Sequence, residues 1–167
     1  MPAGVYRVFR ERSLNWNYFS ANENALHERS IFTPRGRVVG GSSSINSMVD
    51  MRGHRFDYDG WAKDFDLPER RFDKCLSYFI QGENYKSARN PWRRNAGRLT
   101  LKHACSSAPL FDLFLEAGRQ SGQGPSDDLN GFNPEGLARL DCTILDGKRC
   151  SSATAHLRPA LGRANLT

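Results

Sequence analysis

Residues 33–53, TPRGRVVGGSSSINSMVDMRG, constrain the fold of this chain more than any other stretch. Gly40 and Gly41 carry no side chain, so a bulky partner can approach the backbone closely there. Ser42, Ser43 and Ser44 follow at the point where a helix could begin, and INSMVDM reads as a short helix. Backbone N–H groups at a helix start, with hydroxyls beside them, suit an anion such as a pyrophosphate. Arg35 and Arg37 add positive charge nearby. The same spacing also describes an ordinary glycine-serine turn, so the residues alone leave both readings open.

The better-known phosphate motifs are absent: no G-x-x-x-x-G-K-[ST] and no G-x-G-x-x-G opening a βαβ unit. A G-x-S-x-G nucleophile elbow is missing too. The four cysteines, Cys75, Cys105, Cys142 and Cys150, form no C-x-x-C pair and have no histidine at metal-ligand spacing. No metal site is expected, and the thiols are expected to be free. The net charge of +6 is spread along the chain, with one cluster at residues 89–98. Without a zinc-finger or RNA-binding signature it reads as a solvated basic face, so no nucleic-acid partner is expected. No apolar run approaches the roughly 20 residues that span a bilayer. The first residues also lack the order of a signal peptide, so the expected location is cytoplasmic or membrane-peripheral.

Coarse secondary structure alternates irregularly between helices and short strands. Phe72, Leu76, Phe79 and Ile80 stand at helical spacing within 69–83. Residues 86–98 read as an exposed polar loop, and 98–102 as a short strand. A helix is expected over 107–122, N-capped by Ser107, with Pro109 in its first turn and Leu110, Phe114 and Ala117 on its buried face. Asp146-Gly147 between strand-like runs predicts a hairpin. A last helix is expected from Ser151 or Ser152 to Pro159. Pattern alone reaches α/β or mixed α+β.

The motif P-R-G-x-V-x-G-G-S-S-S-I-N-x-M-V, followed by R-G-x-x-x-D-Y-D-x-W-A, runs from Pro34 through Ala62. It resembles the first signature of the glucose-methanol-choline (GMC) oxidoreductases. The segments APLFDLFLEAGRQSG, DDLNGFNPEG and DGKRCSSATAHLRPALGRANLT look most like the choline dehydrogenase branch. The resemblance implies part of an FAD-binding domain joined to part of a substrate-side domain. Residues 1–63 would belong to the former, 64–97 to a helical connection, and 98–167 to the latter with a return toward the flavin domain.

It further implies FAD contacts from Val38, Gly40, Gly41, Ser42, Asn46, Ser47, Met48 and Val49. Some relatives attach FAD through a histidine in this turn; Ile45 stands there, so non-covalent binding in an incomplete site is implied. The N-terminal nucleotide-binding unit and the histidine base would lie before Met1 and beyond Thr167 in a full-length relative. His27, His54, His103 and His156 match neither, and no catalytic residue is assigned. The implied substrate is a small alcohol. The alternative is an inert fragment serving at most as an interaction module, with self-association through exposed apolar faces.

Overall fold

The computed structural model describes residues 2–87, 90–104 and 108–166. These group into two compact units, residues 1–48 with 144–167, and residues 49–143. The divisions fall at 48/49 and 143/144.

In the first unit, α1 (Val5–Arg10) leads into a short two-stranded sheet, β1 (Tyr18–Phe19) with β2 (Phe32–Thr33), paired antiparallel. Between these elements the chain is organised by Asn15, which is 1% exposed. Its amide donates to the Phe9 carbonyl at 2.9 Å, and its Oδ1 accepts from the backbone of Asn17 and of Arg35, each at 3.0 Å. A buried amide satisfied on both sides behaves as a rigid clamp. It holds residues 14–16 against 35–37, where Trp16 N–H donates to Arg35 and Arg37 N–H to Leu14.

The second unit contains α2 (Arg55–Asp64), α3 (Phe72–Gly82), α4 (Pro109–Gln120) and a four-stranded sheet. Its strands are β3 (Val49–Asp50), β4 (Glu83–Tyr85), β5 (Leu99–His103) and β6 (Asp141–Cys142), in the spatial order β3-β6-β5-β4. Only β4 and β5 run parallel. The INSMVDM segment is therefore not a helix. Asn46 Oδ1 accepts from Met48 N–H at 3.0 Å, Met48 turns to φ 66°, and Val49–Asp50 joins the sheet. A side chain that bonds its own backbone two residues on competes directly with helix formation.

The apolar stripe on α3 is half-buried as its spacing predicts. On α4 the buried face is shifted: Leu110 and Phe114 are exposed, at 77% and 61%, and so is Ala117. Phe111, Leu115 and Gly118 turn inward instead. The N-cap is Ala108, and Ser107 lies outside the described residues. The predicted hairpin forms between β7 (Ile144–Leu145) and β8 (Lys148–Arg149). Asp146 and Gly147 both have positive φ, the signature of the turn that matches strand twist. The closing helix forms where expected, but as a wider π-helical turn at Ala153–Leu157 followed by a tighter 3-10 turn at Arg158–Ala160. Cys75, Cys142 and Cys150 are free thiols; Cys105 lies outside the described residues.

Candidate cofactor segment and a buried charge cluster

Within the first unit, Gly41–Ser44 forms a single 3-10 turn. Gly40 and Gly41 both lie in the left-handed region, at φ 91° and 55°, which glycine adopts at no steric cost. The two glycines nevertheless do different work. A Cβ on Gly40 would strike Ser44 Oγ and the Ala153 methyl, so Gly40 serves packing. A Cβ on Gly41 would meet nothing within 4 Å, which leaves an open backbone face. Gly36 closes the other side: a Cβ there would collide with the Gly41 carbonyl.

The serine hydroxyls turn inward onto the loop instead of outward to an anion. Ser42 Oγ accepts from Gly36 N–H, Ser43 Oγ donates to the Gly40 carbonyl, and Ser44 Oγ donates to the Val39 carbonyl. Ser152 tightens the same turn, its N–H donating to Ser43 Oγ at 2.9 Å and its hydroxyl to Gly40 O at 3.1 Å. Arg149 is the brace that sequence reasoning missed. Its Nη1 donates to Asn46 Oδ1 at 2.6 Å and to the Ser43 carbonyl at 3.2 Å. Its burial lowers the guanidinium pKa, a cost that these charge-assisted bonds offset. The signal available was the hairpin itself, which carries Arg149 on its second strand.

The structure thus gathers Val38, Gly40, Gly41, Ser42 and Asn46 into one braced turn, with Gly41 N–H donating to the Val38 carbonyl. Ser42 and Ser47 are exposed, and Met48 is buried at 4% exposure. Val49 is exposed and opens β3 in the second unit. Ile45 is 2% exposed, an alkyl side chain in the core where it offers no nucleophile.

The second unit holds a cluster that the exposed-loop expectation for 86–98 did not anticipate. Arg93 is buried, at 7% exposure. Strand registry explains why. Glu83 and Tyr85 pair with Leu99 and Leu101, His103 with Asp141, and Asp141 with Asp50. Alternation then places Glu83, Tyr85, His103, Asp141 and Asp50 on one face of the sheet. Arg93 docks on that face, Nε to Glu83 at 3.1 Å, Nη1 to Asp128 at 2.7 Å and to Asp141 at 2.8 Å. Its guanidinium carbon also lies 3.7 Å from the centroid of the Tyr85 ring.

Burial opposes the charge on Arg93, yet Asp141, Glu83 and Asp128 together outweigh it and raise its pKa. Arg52 joins through Glu83 at 3.0 Å and donates to the carbonyls of Trp92 and Asn130. His103 bridges Asp141 and Tyr85, with Nδ1 2.9 Å from Asp141 and Nε2 2.8 Å from the Tyr85 hydroxyl. Desolvation, reinforced by Asp141 and Glu83, pushes the Asp50 carboxyl up. Among the described residues no group of His, Cys, Asp and Glu is arranged to hold a metal. Nor is any described helix long and apolar enough to cross a membrane.

Comparison with known proteins supplies the wider frame. Residues 18–167 match the family model described as GMC oxidoreductase. Over 166 residues the chain is 39% identical to the oxygen-dependent choline dehydrogenase of Rhizobium etli, covering 99% of this chain and 30% of that protein. It is 38% identical to the mitochondrial choline dehydrogenase of Mus musculus, with 99% and 28% covered. Among solved structures, pyridoxine 4-oxidase from Mesorbium loti superposes with a TM-score of 0.92 at 28% identity, over 99% of this chain and 33% of that one. The chain therefore spans about 30% of the length of the curated relatives it matches.

Proposed function

The chain belongs to the GMC oxidoreductase family, and from that premise we propose that it forms part of the flavin-holding region of an FAD-dependent enzyme that oxidises a small alcohol of the choline type. The observation that carries this reading is the open backbone face at Gly41, beside a turn clamped on three sides. A glycine in the left-handed region with free space above it is a cradle that any side chain would fill. Bound FAD would supply the hydride acceptor for alcohol oxidation. The chain's own part is to hold a rigid, open backbone edge against the cofactor.

Arg149 fixes the Asn46 amide, and that amide in turn fixes the Met48 N–H. Preorganised donors of this kind are effective because they need not rearrange when charge develops nearby. Val38, Gly40, Ser42, Ser47 and Val49 complete the proposed set. The serine hydroxyls are spent on the loop, so backbone groups are left to make the polar contacts. Buried Ile45 supports non-covalent attachment.

The test is a chimera in which residues 18–167 replace the matching third of the Rhizobium etli enzyme. The expected product is yellow, releases its flavin on acid denaturation, and reduces a dye when choline is added. Gly41→Val in that chimera should remove the flavin while circular dichroism stays unchanged. A folded chimera that purifies colourless would sink the proposal.

The second reading, a catalytically inert piece acting at most as an interaction module, is favoured by the many large apolar side chains left exposed, Phe65, Leu110, Leu113 and Phe114 among them. Reading the transcript on either side discriminates the two. A G-x-G-x-x-G unit upstream and a histidine-bearing segment downstream support the working enzyme, and stop codons with neither support the inert piece.

A further inference from the structure

We propose that the second unit carries a binding site for a small aromatic carboxylate, in a cavity of about 190 Å³ lined by the first residues of α2 and α3. All of its walls come from residues 52–134, so it does not rest on the flavin reading. Size sets the first bound. An apolar cavity of about 150 Å³ holds benzene, so this one has room for a single ring with a small substituent.

The walls set the chemistry. Phe72, Trp92 and Phe132 line the cavity, with the Trp92 and Phe132 ring centroids 5.5 Å apart and tilted by 48°. Such rings favour a flat apolar body that can offset-stack or meet an edge. Bare phosphate has no use for these surfaces.

The charges select the sign. Arg52, Arg55, Arg71, Asp59 and Asp73 all line the same space. Asp59 is already engaged, accepting from Phe72 N–H at 3.0 Å. Asp73 stands 3.4 Å from Arg71 Nε in an exposed pair, an interaction that is cheap to exchange. Arg52 is ion-paired with Glu83 and donates from Nη1 to the carbonyls of Trp92 and Asn130, and serves as wall. Arg55 is exposed and has no acceptor among the described residues. A cation would meet three guanidinium groups there. A carboxylate would find Arg55 free and Arg71 exchangeable, and guanidinium geometry matches it bidentately.

The experiment is ¹⁹F NMR of 4-fluorobenzoate titrated with the full chain, folding being checked by circular dichroism. Saturable line broadening is expected. Arg55→Gln should weaken it about tenfold, the loss of one charge-assisted contact. Leu76→Trp, which fills the cavity, should abolish it with the helical signal kept. Equal binding of 4-fluorobenzyl alcohol, full displacement by inorganic phosphate, or no broadening with the folded wild-type chain would each overturn the proposal.

Discussion

At the scale of single residues, the charged side chains divide into those that stay hydrated on the surface and those the fold depends on. Arg93 belongs to the second group. Removing one partner of a buried charge cluster leaves the others uncompensated, which is why such clusters resist piecemeal change. Asp50 shows the converse. Its pKa is raised in the folded state by burial and by the carboxylates of Asp141 and Glu83. The folded chain therefore holds the Asp50 proton more tightly than the unfolded chain does. Stability associated with that proton is present at low pH and is lost as pH rises through the folded pKa. Asp50→Asn should accordingly stabilise the protein at neutral pH, with the advantage shrinking toward zero as pH falls below the ordinary aspartate value. Urea midpoints of both proteins across that range decide it. A constant difference at every pH would contradict the account.

At the scale of elements, α4 shows what periodicity can and cannot say. The spacing of apolar residues located the helix, and Pro109 marked its start. Its apolar residues cover more than half the circumference, so spacing alone could not choose which side turns inward. Packing chose it: Gly118 lies against the Leu137 side chain, and Arg139 sits 4.3 Å over the Phe111 ring. Leu115→Ala should therefore cost about 1–2 kcal/mol, below the range for a fully buried leucine because the site is half-buried. Leu110→Ala should fall within about 0.5 kcal/mol, as exposed substitutions do. Equal losses in a urea titration would place the buried face back where the spacing first put it. The Asp146-Gly147 hairpin was legible for the opposite reason, since its turn chemistry is local. The helix expected after Asn46 failed because a side-chain bond and a distant strand, β6, competed for the same backbone.

At the scale of the whole molecule, the exposed apolar side chains are the feature with the largest consequence. Leu110, Leu113 and Phe114 are each more than 60% exposed on one helix, and the chain spans about 30% of its curated relatives' length. Contiguous apolar surface of this kind drives association. The chain should self-associate as its concentration rises, and replacing those three residues by glutamine should shift sedimentation velocity profiles toward the monomer. A wild-type profile that stays monomeric throughout would rule this out.

What the sequence determined by itself was local or motif-bound: the family, through Pro34 to Ala62; the glycine-serine turn; the hairpin; the positions of three of the helices. Each depends on residues near one another in the chain, where conformational preference and motif spacing act directly. What only the tertiary structure decided was which residues meet. Arg149 reaches Asn46 across more than a hundred positions, and Arg93 reaches Asp141 across 48. Such pairings are set by strand registry and burial. Both are properties of the packed chain, and no local pattern records them.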